Sequence, residues 1–155
     1  GPANPEPPEV VAGRDVGEKL TPFEVSGLDG GTLSSRTFSG KPTVLTFWAS
    51  WCGPCQKGMP ALAKVYETYK AQGLQVLAIS VDTEEAKLKT WLGSHAMPFT
   101  IGRDPGGKLM QGFPNRGLPT TLWIRKDGTI RLRTTGVPPG GEKRIDELVK
   151  ELIGV

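Results

Sequence analysis

"FWASWCGPCQ", residues 47–56, joins an apolar run to two cysteines separated by Gly53 and Pro54. The run that leads into it, "TVLTFWA" (43–49), is rich in β-branched and aromatic residues and reads as a buried strand. Beyond the cysteines, Met59, Leu62, Val65, Tyr66 and Tyr69 recur at three- and four-residue spacing, the stripe of an amphipathic helix that Gly73 terminates. Cys52 therefore falls at a strand-to-helix junction, and Pro54 takes an early helical position, where a missing N–H costs nothing. Free N–H groups and the helix dipole stabilise an anion there, here a thiolate.

Outward from this junction the chain alternates strands and helices. Upstream, "FEVSGLDGGTL" (23–33) has turn chemistry at Asp29-Gly30-Gly31 between two short strands, a hairpin. Downstream, "LQVLAISV" (74–81) is a second buried strand, and 84–92 place Leu88, Trp91 and Leu92 on one helical face. A short strand near Phe99–Ile101 and a helix near Lys108–Phe113 follow. "TTLWIRKDGTIRLRTTG" (120–136) is a hairpin turning at Lys126-Asp127-Gly128, and "EKRIDELVKELI" (142–153) is amphipathic through Ile145, Leu148, Val149 and Leu152. This order implies an α/β sheet with helices on both faces.

Composition narrows the function classes. The chain has 155 residues, long enough for one domain with a sizeable core. Its net charge of +3 is mild and its Lys and Arg are scattered, so no nucleic-acid footprint is present. No apolar run approaches the length that spans a bilayer. The opening "GPANPEPPEVVAG" has four prolines in its first eight residues and reads, over residues 1–15, as a linker. The leading Gly1-Pro2 resembles a cleaved-tag scar, which leaves a signal or membrane tether upstream as an expectation. A single domain is expected over 16–155.

The chain has two cysteines and one histidine, His95, on a different segment, whereas a structural zinc site takes four Cys or His ligands. No metal site is expected, and His95 reads as a polar residue near a helix end. A structural disulfide closing so short a loop constrains little unfolded-chain entropy. A redox pair suits every neighbour: a low-pKa, exposed attacker at Cys52 and a shielded resolving thiol one turn along at Cys55.

"TFWASWCGPC" resembles the active-site strand and motif of the thioredoxin superfamily, and three separate features agree. Pro60 lies inside the helix after the motif; "GLPTT" (117–121) resembles the family's cis-proline loop, which points to Pro119; and "KDG" turns the next hairpin. The upstream hairpin and the extra helix and strand after Val81 resemble the TlpA/ResA-like thiol:disulfide oxidoreductases. The resemblance implies a thioredoxin fold, a central mixed β-sheet flanked by helices, with an N-terminal hairpin and an inserted helix-strand segment. It implies that Cys52 attacks and Cys55 resolves, without a cofactor. Trp51, Gly53, Pro54, Leu118 and Pro119 would contact an extended protein substrate, the Leu118 backbone pairing with it. Trp48, Trp91 and Trp123 read as core residues.

Two positions depart from the family. Thioredoxins carry a buried Asp where this chain has Thr46, and many TlpA/ResA-like proteins carry a Glu where it has Gly58. A hydroxyl is no general base near neutral pH, so the usual carboxylate relay for Cys55 is missing at both. The Gly-Pro dipeptide is that of thioredoxin, whose potential is about −270 mV against about −120 mV for DsbA, which suggests a reductase. The family implies an extracytoplasmic setting, in a bacterial periplasm or on the outer membrane face, with a membrane electron donor; nothing in the chain suggests an obligate dimer, so a monomer is expected. Apocytochrome c and copper-centre proteins are among the substrates it suggests. Two rivals share the fold: a thiol peroxidase, whose Pro-x-x-x-Thr-x-x-Cys motif is not found around Cys52, and a copper-binding assembly factor, which usually spaces its cysteines by three residues. A non-catalytic interaction domain would leave the motif idle.

Overall fold

The structure, a computed structural model, describes residues 12–154. Residues 1–11 of the stretch read as linker lie outside the described residues. Backbone pairing begins at once, with β1 (Ala12–Gly13) parallel to β2 (Lys19–Leu20).

The main sheet is built from β3 (Glu24–Gly27), β4 (Thr32–Ser34), β5 (Thr43–Trp48), β6 (Gln75–Ser80), β7 (Thr100–Arg103), β8 (Thr120–Ile124) and β9 (Ile130–Thr135). Its order is β4-β3-β7-β6-β5-β8-β9. β5, β6 and β7 run parallel, while the two hairpins join antiparallel at either side. The expected β3–β4 hairpin thus extends the sheet by pairing with β7. Asp29 accepts the Gly31 N–H in its turn, and Gly30 adopts φ +90°, open to glycine without strain.

β5 has neighbours on both edges and cover on both faces, so all six of its residues are buried. Alternation divides them. Val44 and Trp48 face one core, with Val76 and Ala78 of β6; Leu45 and Phe47 face the other, with Leu77 and Ile79. Full burial of side chains such as these contributes roughly 1.5–3 kcal/mol each.

The flanking differs from the expectation of helices on both faces. α1 (Gly53–Tyr69), α2 (Glu85–Ser94) and α3 (Gly141–Ile153) all pack into the core of Val44 and Trp48. The crossovers β5–α1–β6 and β6–α2–β7 step the same way across the sheet, and right-handed crossovers in one direction put both helices on one side. The opposite face is covered by Phe23, just before β3, and Val25 within it, by Phe38 of a 3-10 turn (Ser35–Phe38), and by Leu109, Met110 and Phe113.

The helix expected near Lys108–Phe113 is instead two 3-10 turns, Pro105–Gly107 and Met110–Gly112. Gly106 and Gly107 take φ of +77° and +75°, so helical backbone can begin only at Lys108. Phe113, the residue before Pro114, is already extended (φ −105°, ψ 140°), which leaves too few residues for an α-helix. The buried Asp104 carboxylate then accepts the Leu109 and Met110 N–H groups, each at 3.0 Å, capping the new turn. The apolar residues still reach the core, but without the α-helical ladder.

Candidate active site

Cys52 is the N-cap of the 17-residue α1, with Pro54 in its first turn. The cap conformation, φ −90° and ψ 115°, lets its sulfur turn back over the helix end, where the Cys55 N–H donates to Cys52 Sγ at 3.3 Å. The Gln56 N–H closes the first turn on the Cys52 carbonyl at 3.1 Å. The two sulfurs are joined as a disulfide, with Cα atoms 5.2 Å apart. Cys52 is 7% exposed and Cys55 1%. Cys52, expected to be exposed, is therefore buried in the disulfide, and Cys55 is buried more deeply. Gly53 and Pro54 are exposed, and Trp51 stands out at 66% exposed, a large apolar side chain beside the sulfurs.

The loop expected to face the pair does so. The Leu118–Pro119 peptide is cis, and Cys52 Sγ lies 3.7 Å from the Leu118 carbonyl oxygen. The loop is held at both ends: the Thr120 hydroxyl donates to the Gly117 carbonyl, and the Gly136 N–H to that of Pro119. Trp48 and Trp123 are core residues, and Trp91 packs against Trp48 with ring centroids 5.2 Å apart. His95 follows the C-terminus of α2, stacks on Trp91 and has Nδ1 3.0 Å from the Trp91 carbonyl oxygen. Among the described residues, no three His, Cys, Asp or Glu side chains converge as a metal site would need.

Behind Cys55, Thr46 meets Thr121 of the neighbouring strand, hydroxyl to hydroxyl at 2.8 Å, both buried. A cavity of about 30 Å³ lies beside them, lined by Thr46, Cys55, Gly58, Pro119 and Thr121. That is room for one water molecule. None of its lining residues is acidic. A Cβ at Gly58 would sit 3.5 Å from a Val137 methyl, an ordinary contact, so the position has space for a side chain.

One buried acid near the motif escaped sequence reasoning. Asp82, 1% exposed, accepts the Ser50 N–H at 2.9 Å, the Ser50 hydroxyl at 2.5 Å and the Ser80 hydroxyl at 2.5 Å. Ser50 in turn takes the Gln56 side-chain amide on its carbonyl at 2.6 Å, and the Cys52 N–H donates to Ala49. The carboxylate therefore ties the end of β6 to the turn that aims Cys52. The available signal was an Asp just past the end of a buried parallel strand, where sites in α/β sheets collect.

Comparison with known proteins adds independent findings. The AhpC/TSA family model matches residues 16–133. The thiol-disulfide oxidoreductase ResA of Halalkalibacterium halodurans is 30% identical over 136 residues, 87% of this chain and 77% of the relative. ResA of Bacillus thuringiensis is 28% identical over 138 residues, 89% of this chain and 79% of the relative. A solved structure described as the thiol:disulfide interchange protein DsbE of Chlorobium tepidum superposes with a TM-score of 0.85 at 29% identity. It covers 91% of this chain and 99% of its own.

Proposed function

The chain belongs to the AhpC/TSA family within the thioredoxin superfamily and is a thiol-disulfide oxidoreductase, and from this premise we propose that it reduces disulfides of exported proteins through Cys52 and Cys55. The observation that carries the reading is the asymmetry of the pair. Cys52 Sγ caps a helix and receives the Cys55 N–H, whereas Cys55 lies one turn inside and is almost fully covered. An N–H bond and a helix terminus favour the Cys52 thiolate; burial disfavours that of Cys55.

The chemistry then runs in two exchanges. The reduced Cys52 thiolate attacks one sulfur of a substrate disulfide, and the other substrate sulfur leaves as a thiolate. Cys55 gives up its proton and attacks Cys52 Sγ, so the second substrate thiolate leaves and the Cys52–Cys55 disulfide forms. Two electrons have moved to the substrate, and a dithiol donor, here a membrane partner, restores the pair. The substrate lies extended over Trp51, Gly53 and Pro54, with its backbone against Leu118 and Pro119. With no acidic side chain lining the cavity behind Cys55, a water beside Thr46 and Thr121 takes the proton.

The reducing direction is supported by what stabilises the thiolate: one backbone N–H and a helix end, with no histidine between the cysteines. The extracytoplasmic setting, a membrane tether, a monomeric state and substrates such as apocytochrome c or a copper-centre protein belong to the same proposal. A peroxidase of the same family would place Pro and Thr where this chain has Leu45 and Ala49. Equilibration with glutathione buffers tests the direction: a potential near thioredoxin's value of about −270 mV is expected, and one near the −120 mV of DsbA overturns the reductase reading. Rapid oxidation of the dithiol by hydrogen peroxide in stopped flow would favour the peroxidase instead.

A further inference from the structure

On the sheet face away from the α-helices, at the end opposite the dithiol, the packing leaves a cavity of about 350 Å³. β5 starts at it with Thr43 and Leu45 and runs from there toward Cys52, so roughly 16 Å of strand separates it from the active-site end. Its inner wall is apolar: Phe23, Leu45, Leu77 and Ile124, all buried, with Phe38 half-buried at one side. The one buried hydroxyl there, on Thr43, already donates to the Lys41 carbonyl. The interior thus offers an apolar ligand contact and little for a polar one.

The mouth is of the opposite character. Arg36, Lys41, Arg125 and Lys126 surround it, all exposed, against the single acid Asp127. Among the described residues none of these four cations forms an ion pair, whereas nine other Lys and Arg side chains do. The Asp127 carboxylate is engaged by the Thr129 N–H at 2.9 Å. A rim of four cations against one acid over an apolar-walled pocket is complementary to a molecule with an apolar body and one anionic end. Size agrees, since small-molecule sites fall at roughly 300–1,000 Å³. An extended peptide fits less well, because β5, β6 and β8 are paired on both sides at this point and offer no free strand edge.

We propose that this cavity is a binding site for an aliphatic monocarboxylate, its chain between Phe23, Leu45 and Leu77 and its carboxylate held by Arg36, Lys41 and Arg125. The site is separate from the dithiol and does not depend on the reading of the redox reaction. Each buried methylene contributes a factor of roughly four in affinity, so shortening decanoate to octanoate weakens binding about fifteenfold.

Titration of the full chain with decanoate, below its micelle concentration, tests this by amide NMR shifts and calorimetry. Saturable binding is expected, with shifts at residues 36–45 and 124–128, at least tenfold tighter than decanol and tighter still than decylamine. The double variant Arg36→Glu with Arg125→Glu changes only exposed side chains and should fold; it should lose decanoate binding at least tenfold while the dithiol potential stays put. Equal affinity for decanol or decylamine, unchanged binding by the double variant, or shifts centred on Trp51 and Val137 would each overturn the proposal. So would no saturation below about 1 mM, or binding seen only with vesicles of anionic lipid.

Discussion

Replacing Asp82 with Asn probes how a buried charge sets the chemistry of Cys52. Asn can keep the hydrogen bonds. Its carbonyl takes the Ser50 N–H and the Ser80 hydroxyl in place of one carboxylate oxygen, and its amide donates to the Ser50 hydroxyl, which rotates to accept. The main loss is therefore one negative charge. Ser50 and Cys52 are two residues apart, so the chain holds the charge within roughly 10 Å of Cys52 Sγ. At an effective dielectric of about 20, its repulsion of a thiolate is about 2 kcal/mol. Removing it raises the thiolate-to-thiol ratio roughly thirtyfold. The less basic thiolate is intrinsically about fivefold less nucleophilic, so net alkylation by iodoacetamide at mildly acidic pH should rise about sixfold. The reduced form is stabilised, so the potential should become more oxidising, by up to about 40 mV. Asp82→Ala instead strands the Ser50 N–H and should cost about 1–3 kcal/mol in urea unfolding. If Asp82→Asn folds with near-native stability and neither alkylation rate nor potential moves, Asp82 only braces the loop and the electrostatic argument fails.

Four further outcomes follow from the same geometry. Cys55→Ser should accumulate dithiothreitol-releasable complexes with substrate proteins and Cys52→Ser almost none; equal trapping by the two reverses the roles proposed for them. Trp51→Ala should change stability by less than about 0.5 kcal/mol, because the side chain is exposed, yet lower kcat/KM on a protein disulfide several-fold with the potential unmoved. Thr46→Val leaves the buried Thr121 hydroxyl unpartnered and should destabilise by about 1–3 kcal/mol; adding Thr121→Val should recover part of that, a non-additivity read by a double-mutant cycle in urea. The Tyr69 hydroxyl donates to Asp146 at 2.7 Å, which, with Lys150 adding, holds that carboxyl below its ordinary value, while the same bond raises Tyr69. The carboxylate's contribution is present above its unfolded value near 4 and lost as pH falls through the folded one; the tyrosine's is present below about 10 and lost as pH rises. Tyr69→Phe should flatten both flanks of the stability–pH curve, and an unchanged acid flank refutes the first assignment.

How much of this could be read from the chain depends on the range of the interactions involved. Strand β5 and helix α1 are legible because their signals are local: β-branched and aromatic residues in one run, a three-and-four stripe in the next, and Pro54 marking the first turn. The cysteine chemistry is legible for the same reason, since one sulfur sits at the helix terminus and the other three residues along, joined by the backbone between them. The 105–113 segment defeats periodicity because Leu109, Met110 and Phe113 satisfy an apolar helical stripe, while the positive φ of Gly106 and Gly107 before it and the extended Phe113 ahead of Pro114 leave too short a run for an α-helix. Which face each helix takes is not local either: α2 joins α1 because of the direction in which β6 steps to β7, a property of strand order.

Asp82 belongs to a third kind. In sequence it is an acid past a strand end with 29 residues between it and Cys52, and nothing in its neighbourhood requires burial. Its partners come from pairing: β5 and β6 run side by side in register, so Trp48 lies opposite Ser80. The residues two past each strand end, Ser50 and Asp82, are thereby brought across from one another. A carboxylate can remain 1% exposed there only because Ser50 and Ser80 supply three donors, two from one strand's extension and one from the other's. The motif fixes which atoms react, and the register between two strands fixes which charge they react beside. The second is invisible until the strands are paired, and for that reason the Asp82→Asn experiment tests the fold and the chemistry together.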